Sequence, residues 1–396
     1  MGVVVVGGSL AGLGTVLALR RRGFEGEVTL LGEETERPYD RPPLSKEFLE
    51  PGAETPYLVK DGELEEQGVT FLPGTRATAL DPDRRRVRLE GGEALAYDAV
   101  VIATGAQPRT LPVPGGDLPG VRTLRSLDDA RALRDALDAS PRVVVIGGGF
   151  IGAEFACAAR ARGLDVTILE REREPFALSL GEAVGRELGQ LHRAKGATVR
   201  TGAGIVALEG ADRVEAVILD DGTRIPADLV LVGVGVTPRT AWLDGSGVSV
   251  GNGVVCDAAL RSVSHEGVYA AGDVAFWPHP LLGAPVRIEH WTNANEHGDL
   301  VAAGITGTAP SADMPPYVWS DQLGFKIQVI GRAAPTDDVR LFHRDGRIHA
   351  ALWSRDGALI SALSLDTPRL HLRARKAIVA GDPVDDFVAE QAALLL

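Results

Sequence analysis

The stretch Val3-Val4-Val5-Val6-Gly7-Gly8-Ser9-Leu10-Ala11-Gly12-Leu13 returns 140 residues later as Val143-Val144-Val145-Ile146-Gly147-Gly148-Gly149-Phe150-Ile151-Gly152-Ala153. Each copy is a β-branched run, a glycine turn and an alanine- or leucine-rich helical stretch. A four-residue apolar run with no polar alternation reads as a buried parallel strand, since such a strand is covered on both faces. A second strand follows each helix, Val28-Thr29-Leu30-Leu31 in one copy and Val166-Thr167-Ile168-Leu169 in the other, with Glu33 and Glu170 just beyond. A further echo pairs YDAVVIATGAQPRT (97–110) with ADLVLVGVGVTPRT (227–240) at an offset of 130. Two copies of strand, turn, helix, strand and acid predict an α/β fold with two Rossmann-like dinucleotide-binding domains.

The remaining segments set the expected boundaries. The proline- and glycine-rich stretch Pro108–Gly120 reads as a linker after the first module. A second module then spans 110–225, and the return to strand near 226, followed by GVYAAGDVA (267–275), reads as the second half of the first domain. The expectation is thus a discontinuous domain of 1–109 and 226–308 with 110–225 inserted into it. After the proline-rich segment 309–316, KIQVIG (326–331), HAALWS (349–354) and a basic helical stretch 368–380 predict a C-terminal α+β domain over 309–396.

Composition removes several function classes. With 396 residues the chain has material for two or three cores, and 45% hydrophobic with 24% charged residues is a globular balance. The net charge of −13 opposes a nucleic-acid-binding face, which needs basic residues against phosphate. No apolar run is long enough for a membrane helix and the N-terminus reads as a first strand, so no membrane association and a cytoplasmic location are expected. The two cysteines, Cys157 and Cys256, form neither a CxxC pair nor a metal cluster, so redox chemistry has to come from a bound cofactor. His290 and His297 stand without a ligand array around them, and no metal site is predicted.

The glycine turns say what that cofactor is. In GxGxxG the glycines let the backbone approach a pyrophosphate at a helix N-terminus, where free N–H groups and the helix dipole favour an anion. Gly147, Gly149 and Gly152 complete the pattern, and Glu170 stands where a carboxylate accepts from a ribose 2′-hydroxyl and repels a 2′-phosphate. NADH is therefore expected over NADPH, with Arg171 and Arg173 softening the choice. The first copy keeps Gly7 and Gly12 but has Ser9 at the middle position, small enough for the same approach. Two sites in one chain imply two dinucleotides, economically FAD and a nicotinamide exchanging hydride.

Three segments, ERPYDRPPLSKEFL (36–49), GGGFIGAEFA (147–156) and YAAGDVA (269–275), resemble the FAD-dependent ferredoxin reductases that serve oxygenases. The resemblance covers nearly the whole chain and is weakest in the last ninety residues or so. It implies a glutathione-reductase-like architecture, with FAD on the first module. Gly7, Ser9 and Gly12 would face its pyrophosphate, Glu33 the adenosine ribose and Ala77 the adenine. Arg41 and Arg125 would lie by the phosphates, Lys46 by the isoalloxazine, Asp273 by the ribitol and Trp291 at the pyrimidine edge. For the nicotinamide nucleotide it implies Gly147, Gly149, Ile151, Gly152, Glu170 and Gly235, with Glu154 close to the reacting rings. The implied partner is a small iron–sulfur ferredoxin feeding an oxygenase of the cytochrome P450 or Rieske type.

Chemistry supports two of these roles directly. A lysine beside a reduced flavin stabilises its negative charge, and Glu154 could pair with Lys46 to hold it in place. The plainer alternatives are a solvated surface lysine and an acid placed in a first helical turn. Asp273 could equally cap a turn and Trp291 could be core. The resemblance also discriminates by absence, since disulfide reductases need a cysteine pair and peroxidases of this shape need a cysteine in the segment that here reads PPLSKEFL. An NADH oxidase, a rubredoxin or quinone reductase and a flavin redox sensor remain as competing functions. Arg369, Arg373, Arg375 and Lys376 form a basic run in an acidic chain, a candidate dock for an acidic ferredoxin or else a solvated helix face.

Overall fold

The computed structural model describes residues 1–139, 142–308, 314–334 and 336–395. The chain divides into two compact units, one made of Met1–Asp40, Pro56–Gln107 and Thr237–Pro316, the other of Arg41–Thr55, Pro108–Val236 and Tyr317–Leu396.

The first unit is built on a five-stranded parallel sheet in the order Val268–Ala270, Ala99–Ile102, Gly2–Val6, Glu27–Leu31, Val69–Leu72. Val3 to Val6 are all buried, as the unbroken apolar run requires of a central strand. The helix Leu10–Arg21 follows the first turn, and the helix Trp291–Thr306 packs on it closely enough that a Cβ on Gly298 would come within 2.6 Å of the Gly14 backbone. A three-stranded antiparallel sheet, Ala77–Asp81, Arg86–Leu89 and Ala94–Ala96, completes the repeated module.

In the second unit the repeat is drawn again. Its parallel sheet runs Thr198–Arg200, Asp165–Leu169, Arg142–Ile146, Leu229–Val232, Val121–Arg122, and its own antiparallel sheet is Ile205–Glu209, Ala216–Leu219 and Arg224–Pro226. The strand Leu229–Val232 pairs in parallel with Arg142–Ile146, so the segment after 226 stays in this unit and the chain re-enters the first at Thr237. The physical reason is the repeat itself: Leu229–Val232 is the counterpart of Ala99–Ile102, which pairs with Gly2–Val6 in the first unit.

The C-terminal part of this unit is a five-stranded antiparallel sheet, Tyr317–Gln322, Phe325–Gly331, Ala358–Leu365, Arg347–Arg355, Asp338–Arg344. One face meets Phe176, Leu180, Val184 and Leu188 through Ile327, Val329, Ala351 and Leu363, and the other is covered by Leu370, Ala374 and Ala377. Burial on both faces explains why HAALWS shows no alternation. The helix Pro368–Ala380 starts on a proline and stops at Gly381 in the left-handed region, φ 71°. Of the proline-rich segment 309–316 expected as a boundary, residues 309–313 lie outside the described residues.

Candidate functional site

The two glycine turns have the same backbone. Gly7 and Gly147 sit at φ 124° and 105°, with the carbonyls of Ala103 and Gly233, just past the ends of neighbouring strands, 2.2 and 2.3 Å from where a Cβ would stand. A Cβ on Gly12 or Gly152 would meet the carbonyl oxygen of Gly7 or Gly147 at 1.9 and 2.2 Å. The protein's own packing thus demands these four glycines. The middle position differs in kind, because Gly149 has open space around its missing Cβ and an ordinary extended conformation, φ −82° and ψ −174°. Ser9 holds nearly the same angles, φ −95° and ψ −167°, which is why a serine is accommodated there. Both residues are the N-caps of the following helices, whose first N–H groups have no intrahelical partner. The residues therefore fit a pyrophosphate at each turn.

The acids beyond the second strands are held differently. Glu33 is gripped by Arg239 at 2.5 Å and Arg76 at 3.5 Å. Glu170 accepts the backbone N–H of Gly148 at 2.7 Å and of Glu172 at 2.9 Å, which ties its carboxylate to the glycine turn. Ile151 is exposed beside that turn at 41%, unusual for an isoleucine in the first turn of a core helix. Gly235, φ 93°, has nothing near its missing Cβ. Ala77 opens its strand half-buried against the first unit's core.

At the carboxyl end of Val268–Ala270 the Gly272-Asp273 turn begins, with Gly272 at φ 74° over Ala11. Its Gly272 N–H donates to Nδ1 of His297 at 3.1 Å, so that ring is neutral and carries its proton on Nε2. Full burial pushes the His297 pKa down to about 3, with His279 adding repulsion, and the Trp277 ring lies edge-on at 5.0 Å. The indole N–H of Trp291 donates to Asp40 at 2.7 Å. His297, Asp40 and Arg239 were not singled out from the sequence as functional contacts, and nothing local in it marks them.

In the second unit, the loop Arg41–Thr55 packs by the helix Phe150–Ala161. The Lys46 ammonium lies 3.3 Å from Glu154 and 3.2 Å from Asp321. Lys46 is 10% exposed and so is not a solvated surface lysine, Glu154 is 7% exposed and lies beyond the first turn of its helix, and the two are paired. Glu154 also accepts from the hydroxyls of Ser45 and Ser320. Burial raises its pKa above the ordinary carboxylate value, while Lys46 and the two serines pull it back. Arg41 donates to the Arg125 carbonyl, and Asp129 accepts from the Arg125 N–H at 3.0 Å. Ser45, Ser320 and Asp321 went unrecognised in the sequence, since serines and aspartates are common and Glu154 is more than 160 residues from Asp321. No cluster of His, Cys, Asp or Glu able to hold a metal occurs among the described residues.

Residues 1–298 match the pyridine nucleotide-disulphide oxidoreductase family, and residues 317–395 match the reductase C-terminal family. The chain is 36% identical over 397 residues to rhodocoxin reductase of Rhodococcus erythropolis, covering 99% of this chain and 92% of that protein. It is 38% identical over 370 residues to the ferredoxin reductase component of the chlorobenzene dioxygenase of Cupriavidus sp. strain PS12, covering 93% and 90%. Among solved structures, the covalent putidaredoxin reductase–putidaredoxin complex matches with a TM-score of 0.93 at 32% identity over 99% of each chain. With its duplicated nucleotide turns and the matching C-terminal sheet, the chain belongs to the pyridine nucleotide-disulphide oxidoreductase family.

Proposed function

We propose that this chain is an FAD-dependent NADH:ferredoxin reductase, taking hydride from NADH and handing single electrons to a small [2Fe–2S] ferredoxin that supplies a cytochrome P450 or Rieske oxygenase. The observation that carries this reading is a duplicated nucleotide cradle with no thiol relay. Burial pushes the thiols of Cys157 and Cys256 up to about 11 and 12, and the two lie in different units. Electrons accepted from a nicotinamide therefore have no disulfide to pass through and leave to an external carrier. The relatives named as rhodocoxin reductase and as a dioxygenase's ferredoxin reductase component support that carrier being a ferredoxin.

Bound FAD supplies the conversion of a two-electron donor into one-electron deliveries. The chain's part is binding and electrostatics. We assign Gly7, Ser9 and Gly12 to the FAD pyrophosphate, with Arg41 and Arg125, and Glu33, Ala77, Asp273 and Trp291 to the ribose, adenine, ribitol and pyrimidine edge. Gly147, Gly149, Ile151, Gly152, Glu170 and Gly235 are assigned to NADH, with Glu170 excluding a 2′-phosphate. Lys46 offers a fixed positive charge to the reduced ring, and Glu154 holds that lysine in place.

On the helix Pro368–Ala380, Arg369, Arg373 and Lys376 are exposed at i, i+4 and i+7 and share one face, while Arg375 is half-buried. That face is the proposed dock for an acidic ferredoxin. Reversing those three charges should raise the ferredoxin KM and leave ferricyanide reduction intact, whereas equal loss of both would remove the dock. No helix among the described residues is long and apolar enough to cross a membrane, and we place the enzyme in the cytoplasm.

The test of the function is NADH-dependent cytochrome c reduction with and without an added [2Fe–2S] ferredoxin. Strong stimulation is expected. Flavin bleached by NADH with no stimulation would instead point to an oxidase, a rubredoxin or quinone reductase, or a sensor.

A further inference from the structure

Behind Glu154 a line of buried hydrogen bonds continues away from Lys46, through side chains that the reading above leaves without a role. Ser320, 0% exposed, donates to Glu154 Oε1. Gln322, two residues along the strand Tyr317–Gln322, donates from Nε2 to Ser320 Oγ at 3.0 Å. His192, on the helix Ala177–Ala194, lies with Nε2 2.8 Å from Gln322 Oε1.

The direction of every bond follows from the donor inventory. An amide oxygen only accepts, so His192 Nε2 carries a proton and gives it to Gln322. The amide nitrogen only donates, so Ser320 Oγ accepts there and turns its single proton to the carboxylate. All three protons point at Glu154. Satisfying buried polar groups would not require this polarity; stabilising a charged carboxylate does, because each donor polarises the next. Burial favours the neutral ring, whose Nε2–H tautomer supplies that proton. The other ionisable groups around Glu154 are Lys46, Asp321 beyond it, Lys326 at 3.9 Å from Asp321, and Cys157 with Lys195 near it.

We propose that His192, Gln322 and Ser320 are positioning residues that keep Glu154 charged and so keep Lys46 in its place. This rests on the reading of Lys46 and Glu154 as serving exchange between the nicotinamide and the flavin, and the test separates the two. Glu154 is titrated in the flavin-loaded protein by its carboxylate infrared band, assigned as the band lost in Glu154→Gln. The band's midpoint should rise by about one pH unit in Ser320→Ala, about half a unit in Gln322→Met and a few tenths in His192→Phe. His192→Gln, which restores a donor, should return it toward the native value. Stopped-flow reduction by NADH, read on the same variants, should shift its pH profile in the same order. Unmoved midpoints alongside lowered thermal stability would overturn the proposal, leaving the three residues as structural supports. Moved midpoints with an unmoved NADH profile would uphold the positioning and overturn the role of Glu154 in the exchange. His192→Phe, at the far end of the line, keeps the test open should Gln322→Met fail to fold.

Discussion

The first and second nucleotide modules place the same turn on the same sheet, yet they spend the equivalent helical position differently. Gly14, on the first helix, faces Gly298, whose own missing side chain lets the helix Trp291–Thr306 lie against it, while a Cβ at Gly14 would make only ordinary contact at 3.6 Å. Its repeat partner, 140 residues on, is Glu154, buried with Lys46, Ser45 and Ser320. One copy uses the position for packing and the other for charge. The turns themselves diverge little. Gly7 and Gly147 stand at φ 124° and 105°, and Ser9 and Gly149 share an extended backbone. The repeat keeps the backbone of the turn and varies what surrounds it.

Breaking the charged position should have the largest effect. Lys46→Met leaves Glu154 buried without its cation and should cost about 3–5 kcal/mol, measured by denaturant unfolding of the flavin-loaded protein. Burial already holds the folded carboxyl above its ordinary value and losing the lysine raises it further, so the deficit should grow as the pH rises through the native folded pKa, above 4.5, and shrink in acid, where both proteins hold the proton. A deficit independent of pH would contradict the assignment.

The two turns can be broken separately. Gly12→Ala and Gly152→Ala each drive a Cβ into a backbone oxygen that has no rotamer to escape by, at about 3 kcal/mol. The first should empty the flavin and the second should leave the protein yellow with NADH binding lost. Flavin content and NADH titration distinguish them, and loss of flavin in both would deny that the modules are independent.

Acid should act on the units with opposite signs. His297 titrates at about 3 when folded and 6.5 in an open chain, so between those values the unfolded state takes up the proton and stability falls as the pH falls. That amounts to about 2 kcal/mol at pH 5. His297→Gln, which can still accept from Gly272, should flatten the stability profile between pH 7 and 5. An unchanged slope would mean that the histidine is not the buried neutral base described.

The smallest effect is expected at the one departure between the fingerprints. Since Ser9 already has an extended, non-glycine backbone, Ser9→Gly should change stability by only a few tenths of a kcal/mol and retain flavin. A large change in either direction would show that the hydroxyl, and not the backbone, makes the first turn competent.

The repeat made most of the fold legible, because buried parallel strands and glycine turns are local patterns with a fixed physical meaning. The two turns, both acids and the helix over 368–380 follow from residues adjacent in the chain. What local pattern could not reveal is pairing at long range. The strand after 226 belongs to the second sheet because of its partner Arg142–Ile146, a fact carried by sheet order. Ser320 reaches Glu154, Arg239 reaches Glu33 and His297 reaches Gly272 only after the sheets are assembled. A lone serine or arginine carries no signal of such a destination.

In the proposed function one module holds FAD and the other NADH, and hydride passes from the nicotinamide to the flavin. The direct measurement is an anaerobic NADH titration of the flavin-loaded protein, followed by absorbance, beside the same titration of Gly152→Ala. Full bleaching with one NADH per flavin is expected in the native protein, and in the variant a flavin that stays bound and oxidised. Bleaching of the variant at native NADH concentrations would contradict it, because the second turn would then have no part in delivering the hydride.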